Sequence, residues 1–201
     1  MLTTEPADVA SDIMARLKRE TAPLHAELDA MVAPMLAGRA AYRLLLAGLR
    51  DAYGVIEQEL ARHAVQLARV GYELGERTKL AWLDEDLVAL SGPERGAKTE
   101  SYMLAKVSAA LGAVYVIEGA TLGGQVIARQ VIPELALSPE RGCRFFTGYG
   151  ADTGARWRET RDAIAAHLAT TDAPDGANDT IAGARVTFSL IAAALRTRIR
   201  S

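Results

Sequence analysis

The sequence predicts an all-α protein folded as a single domain, and three observations carry that reading. Apolar residues recur at three- and four-residue steps along most of the chain, the spacing of one helix face. No stretch of strand length alternates apolar and polar residues between turn signals. The 201 residues also contain no internal repeat, low-complexity tract or linker at which to divide them. Residues 1–10 are expected to be a flexible N-terminal segment, and 11–201 the helical domain. A chain of this length buries roughly two-thirds of its unfolded surface and needs no cross-links to fold. Half the residues are hydrophobic and only 5% aromatic, so the core must be built mainly from Ala, Leu, Val and Ile.

The elements follow in order. After Ser11, the expected N-cap, Ile13, Leu17, Leu24, Leu28 and Val32 keep one apolar seam. Pro23 interrupts it, and Thr21 can cap a second helix with that proline in its first turn. The segment therefore reads as two short helices or one kinked helix ending near Pro34. Residues 40–63 form the next helix, on the spacing of Tyr42, Leu45, Leu46, Leu49, Tyr53, Ile56 and Leu60. Shorter helical stretches cover 74–90, and Gly92-Pro93 is a stop. A long helix fits 100–131 and is ended by Pro133. A loop rich in Gly and Pro leads to a helix over 155–168. Ala173-Pro174-Asp175-Gly176 reads as a turn, and the last helix runs over 177–199.

Composition excludes several classes of function. The formal net charge of −2 gives no electrostatic footprint for nucleic acid. The single cysteine, Cys143, excludes a disulfide framework and a Cys-rich zinc site. The N-terminus has no basic region followed by an apolar stretch. The most apolar segment, 103–117, contains Lys106 and runs into Glu118, too short and interrupted to span a bilayer. A cytoplasmic location is expected, which suits a lone thiol.

Two features can carry chemistry. His25 lies four residues before Asp29, so both side chains share one helical face. That geometry suits a metal-ligating imidazole whose other ring nitrogen donates to a carboxylate, and equally a surface histidine with an incidental acid nearby. Lys18 is two turns earlier on the same side. The second feature is Glu118-Gly119-Ala120-Thr121-Leu122-Gly123-Gly124-Gln125 inside a helical pattern. Three glycines in a helix interior cost about 2–3 kcal/mol relative to alanine. They fit either a tight helix crossing or a flat ligand lying on bare backbone. Together the two features describe a histidine on one helix and an uncovered backbone on another, with room for a planar macrocycle between them.

With these residues in view the chain resembles the haem oxygenases. Leu17-Lys18-Arg19-Glu20-Thr21-Ala22-Pro23-Leu24-His25 is similar to that family's proximal-helix signature. The glycine-bearing segment is similar to its distal-helix signature, especially in bacterial, phytochrome-associated members. Weaker similarity continues through Phe145-Phe146-Thr147, Trp157-Arg158 and Thr187-Phe188. The resemblance implies that His25 ligates the haem iron and that Asp29 holds its other ring N–H, where the family commonly has glutamate. It implies that Gly119, Gly123 and Gly124 let the distal helix lie against the haem and bound oxygen. Lys18, Arg158 and Arg161 fall where the family places basic partners of the propionates, Phe188 is a pocket wall, and Thr21 and Leu122 join the haem-contacting set. One departure is Ala120, where many members carry an aspartate that orders water beside the bound oxygen. Alanine has no side-chain hydrogen bond to offer. Thr121 is then the catalytic-side hydroxyl nearest in sequence, although it points about 100° around the helix.

The resemblance implies oxidative cleavage of haem, using oxygen, to biliverdin, carbon monoxide and iron. No nicotinamide- or flavin-binding Gly-rich strand-to-helix signature is present, so electrons must come from a separate ferredoxin- or flavodoxin-type donor. A bacteriophytochrome is the implied acceptor of product, and a monomer the expected state. Two other readings stand beside it. One is a haem-binding protein on the same scaffold that does not turn haem over, motivated by Ala120. The other is a thiaminase-like hydrolase, for which Cys143 would have to be a nucleophile without an adjacent base.

Overall fold

Helix follows helix through the whole of the structure, a computed structural model that describes residues 6–90, 101–170 and 174–200. The helices are α1 (Pro6–Met35), α2 (Arg39–Ala61), α3 (Ala64–Arg69), α4 (Leu80–Ala89), α5 (Val107–Glu134), α6 (Arg144–Thr147), α7 (Thr153–Thr170) and α8 (Pro174–Arg200). Short 3₁₀ turns cover Leu74–Glu76 and Gly150–Asp152. No strand forms among the described residues, in agreement with the all-α expectation.

Several boundaries differ from the sequence reading, each for a physical reason. Helix α1 begins at Pro6, not beyond Ser11, because proline in a first helical turn has no N–H to leave unpaired. It then continues unbroken through Pro23. Thr21 does not cap a second helix; its hydroxyl donates to the Leu17 carbonyl at 2.7 Å. Ile13, Leu17 and Thr21 are buried ahead of the proline, and Leu24, Leu28 and Val32 pack against the core after it, so one seam holds both halves. Helix α5 starts at Val107 rather than near residue 100. The Leu104 N–H is taken by Glu59 at 2.9 Å and the Leu104 carbonyl accepts from His63 at 2.7 Å. Groups on the end of α2 and just past it thus satisfy backbone that a longer α5 would have used. The turn expected at 173–176 is the first turn of α8 from Pro174 onward, with Asp175 favourably placed at the helix N-terminus. Gly92-Pro93, Glu100 and Ala173 lie outside the described residues.

Helices α5 and α8 cross at the centre. A Cβ added to Gly112 of α5 would overlap the Thr180 carbonyl, and one added to Gly183 of α8 would overlap the Ala109 carbonyl. The backbones therefore meet directly, and the core closes around them through Leu111, Val114, Ile117, Ala184 and Ile191. Helix α2 packs on α8 and α4, and α1 lies along α7 and α8. By length and composition α5 could cross a membrane, but 61% of its apolar window is buried inside this fold.

The crossing makes a direct prediction. Gly183→Ala should destabilise the fold by about 3 kcal/mol or more, since the overlap is with main chain that cannot rotate away. Urea unfolding measures this, and a loss below about 1 kcal/mol would show that the helices can separate there without cost.

Candidate functional site

A cavity of about 450 Å³ lies beside the crossing, within the ~300–1,000 Å³ typical of cofactor and ligand sites. Its walls come from α1 (His25, Leu28, Asp29, Val32), α2 (Leu45, Leu49, Tyr53) and α8 (Phe188, Ile191, Leu195). Helix α5 adds Tyr115, Val116, Gly119, Ala120, Gly123, Gly124, Val126 and Ile127, and Phe145, Phe146 and Trp157 complete it. The lining is mostly apolar, so a ligand entering here exchanges water for aliphatic and aromatic contact.

His25 stands at the rim, 65% exposed. Its Nδ1 is 2.9 Å from Asp29 Oδ2, and its ring meets Phe188 edge-on with centroids 6.0 Å apart. With Nδ1–H given to the carboxylate, Nε2 keeps its lone pair and has no hydrogen-bond partner among the described residues. A neutral imidazole held in one tautomer is the form that ligates a metal.

The three glycines of α5 divide by environment. A Cβ on Gly123 would meet nothing within 4 Å, so that backbone faces open cavity. At Gly119 it would lie 3.9 Å from the Trp157 ring, ordinary contact. At Gly124 it would come within 3.2 Å of the Phe146 carbonyl, so this glycine admits the short helix α6 as well as bordering the cavity. Both meanings of glycine in a helix, close crossing and bare ligand-facing surface, are present within two adjacent residues.

Other sequence-predicted residues lie off the cavity. Thr121 is buried, donates to the Ile117 carbonyl at 2.9 Å, and packs its methyl against Gly148, whose φ of +60° leaves no room for a side chain there. Thr21 likewise donates to its own helix, and it faces Tyr115 of the cavity wall. Leu122 is 39% exposed and does not line the pocket. Lys18 and Arg158 are exposed and Arg161 half-buried, none of them among the lining residues.

Sequence reasoning missed Tyr53. It is fully buried and lines the cavity, and its hydroxyl has no hydrogen-bond partner among the described residues. Burial pushes its phenol far above the ordinary value, so it remains a donor at any physiological pH. The aromatic spacing of α2 marked it only as core. Its ring is held edge-on by Phe145 at 5.1 Å. Phe145 is in turn fixed by Asp86, whose carboxylate accepts the backbone N–H of Arg144 at 2.7 Å and of Phe145 at 2.9 Å.

The Heme oxygenase family model matches residues 11–197 of the chain. The chain belongs to the haem oxygenase family. Its fold is similar to that of the NO- and CO-bound haem oxygenase of Neisseria meningitidis, at 21% identity and a TM-score of 0.77 over 94% of this chain and 92% of that one. It is also similar to the haem oxygenase of Leptospira interrogans, at 18% identity and a TM-score of 0.71 over 92% and 98%. No curated protein sequence matches significantly. The protein is thus a haem-degrading enzyme of the haem oxygenase fold, and haem is its substrate.

Two predictions follow from this haem oxygenase pocket. Gly123→Ala should leave the ligand-free protein as stable or up to about 1 kcal/mol more stable, and weaken haem uptake. Gly124→Ala should cost about 1–3 kcal/mol through the Phe146 backbone. Thermal melts with and without haem separate the two, and equal behaviour of both variants would contradict the division of the glycines. The second concerns Asp86, whose carboxyl burial raises from 3.8 to about 6. The folded state keeps a proton there that the unfolded chain releases, so this group's stabilisation is full below about pH 4 and is lost as pH rises through about 6. The melting temperature of the parent relative to Asp86→Asn should fall across that window, and a flat difference would refute it.

Proposed function

We propose that the cavity takes haem, whose iron His25 Nε2 would hold. The enzyme then opens the macrocycle to biliverdin, releasing carbon monoxide and iron. One arrangement carries this reading. A histidine committed through Nδ1 to Asp29 borders an apolar cavity whose wall on another helix includes the uncovered backbone at Gly123. Bound haem supplies the iron at which oxygen is reduced and the macrocycle that is oxidised.

The chain's own residues then have distinct tasks. Asp29, accepting from Nδ1, fixes the tautomer and orientation of the His25 ring. Phe188 limits rotation of that ring. Gly119 and Gly123 allow the α5 backbone to approach the plane of the ligand, and Gly124 keeps α6 against that helix. Tyr53, whose buried hydroxyl has no partner among the described residues, is the donor on the cavity wall that can serve a ligand, a role that Ala120 has no group to fill. Lys18, seven residues before His25, and Arg158 and Arg161, just beyond Trp157, are the partners for propionates projecting past the rim. The hydroxyls of Thr21 and Thr121 donate to carbonyls of their own helices, and Thr21 also faces Tyr115 of the cavity wall. Electrons come from a separate ferredoxin- or flavodoxin-type protein, because no nucleotide-binding motif accompanies the fold. A cytoplasmic monomer that hands its bilin to a phytochrome completes the reading.

The test is reconstitution followed by turnover. The apoprotein should bind one equivalent of haem with a histidine-ligated visible spectrum, and reductant under oxygen should replace that spectrum with bile-pigment absorption and release carbon monoxide. His25→Ala should lower haem affinity about ten-fold or more, with added imidazole restoring the spectrum. An unchanged spectrum in His25→Ala would remove the ligand assignment, and a product other than biliverdin would remove the reaction.

A further inference from the structure

Behind the glycine segment lies a polar cluster that the proposed chemistry does not use. Glu118, one residue before Gly119, is 2% exposed, and Lys79 is 0% exposed. Lys79 Nζ is 2.8 Å from Glu118 Oε1. The same oxygen accepts the hydroxyls of Tyr72 at 2.9 Å and Tyr149 at 3.0 Å. Lys79 donates further to the Arg77 carbonyl at 2.9 Å and the Tyr149 hydroxyl at 3.1 Å, so all three ammonium protons have acceptors. Burying two charges is costly, and a well-packed apolar pair is often as stable or more so, so stability alone gives little reason for this arrangement.

Its connections supply a reason. Lys79 sits in the segment 72–79, which also reaches two other cavity walls. Its backbone N–H and that of Leu80 donate to Glu57 of α2. Arg77 is paired with Glu159 of α7, with further bonds to the Thr160 hydroxyl at 3.3 Å and the Arg156 carbonyl at 3.2 Å. One segment, through Tyr72, Arg77 and Lys79, therefore grips α2, α5 and α7, the helices that carry Tyr53, Gly119 and Trp157. On α5 its grip is the Glu118 carboxylate, immediately before the first glycine. Glycine backbone has little side-chain packing to hold it in place, so the register of this stretch depends on anchors beside it.

We propose that Lys79 and Glu118 are a positioning pair that sets where the glycine face of α5 stands relative to the α2 and α7 walls, and so how closely a planar ligand is held. Resting on the haem reading, the proposal gives the pair a place in ligand geometry without contact with the ligand. A merely structural pair could be exchanged for apolar residues with no effect on the cavity; a positioning pair could not.

The experiment compares the parent, Glu118→Gln and the double variant Lys79→Met with Glu118→Leu. Amide hydrogen exchange over 117–125 is measured without ligand, and affinity is measured with zinc protoporphyrin, a flat probe that does not react. The double variant is expected to stay folded while exchange in the glycine segment rises about ten-fold and probe affinity falls about ten-fold. Glu118→Gln, which keeps an acceptor for both phenols, should fall between it and the parent. Parent-like exchange and affinity in the double variant would overturn the proposal. If the double variant does not fold, parent-like values in Glu118→Gln would overturn it instead. A parent that binds no porphyrin would defeat the haem reading, and the exchange comparison would still decide whether the pair holds the segment.

Discussion

The fold depends on one close contact, the backbone-to-backbone crossing of α5 and α8 at Gly112 and Gly183. Side chains at either position would push the helices apart and leave the central core without its inner surface. Because the crossing fixes both helices, the parts beyond it are free to line a space instead of filling it. Gly119 and Gly123 of α5 and Phe188, Ile191 and Leu195 of α8 border the same cavity. Small residues thus act at two places along α5, first to bring main chain together and then to leave main chain uncovered. Low aromatic content is consistent with this: a core of small aliphatics leaves space that a flat ligand can complete.

The walls differ in how firmly they are held. Helix α5 is enclosed by the core and anchored by Glu118, whereas no residue of α1 between Ala22 and Pro34 is buried. Along this stretch and just before it α1 is tied to α8 by surface pairs, Arg185 with Glu20 at 2.8 Å and Arg196 with Glu27. Exposed pairs of this kind contribute little, about 0–1 kcal/mol each. The half of α1 that carries His25 is therefore held by the half-buried Leu24, Leu28, Met31 and Val32 rather than by fully buried side chains, and a ligand bound only by the folded state would add to that hold. A firm glycine wall and a lightly held histidine wall suit a site that must admit a bulky substrate and release a differently shaped product.

Much of this was legible in the sequence. The apolar period located every helix but the short α3 and α6, and His25, Asp29, Gly119, Gly123, Gly124 and Phe188 do meet around one cavity. What escaped was set by partners distant in sequence. Pro23 looks like a break until Leu17 and Leu28 are seen packed against the same core. Residues 101–106 look helical until Glu59 and His63 are found holding Leu104. Nothing local distinguishes Gly123 from Gly124, because the difference lies in Phe146. The Lys79–Glu118 pair spans 39 residues, and its only trace in the sequence is an acid within an apolar run. Thr21 and Thr121 show how a helix redirects a hydroxyl. Their hydroxyls suggest chemistry in one dimension, but inside a helix each turns back to the carbonyl four residues earlier.

Ala120 raised the question of where the distal side finds a hydrogen-bonding group, and the fold moves the answer from α5 to α2. Tyr53 is the one cavity-lining residue among the described residues with a buried side-chain polar atom that lacks a partner. An unpaired buried hydroxyl costs about 1–3 kcal/mol, so its persistence favours something polar arriving with the ligand. Its aim is not left to chance: Asp86 holds the first turn of α6, α6 places Phe145, and Phe145 meets the Tyr53 ring at 90°. A carboxylate on α5 would bring charge directly to the ligand, whereas a phenol on α2 brings a donor that does not ionise and stands on a separate wall. In the proposed reaction, proton supply is thereby uncoupled from the glycine face. That face can serve only to control distance, and no single helix has to provide both.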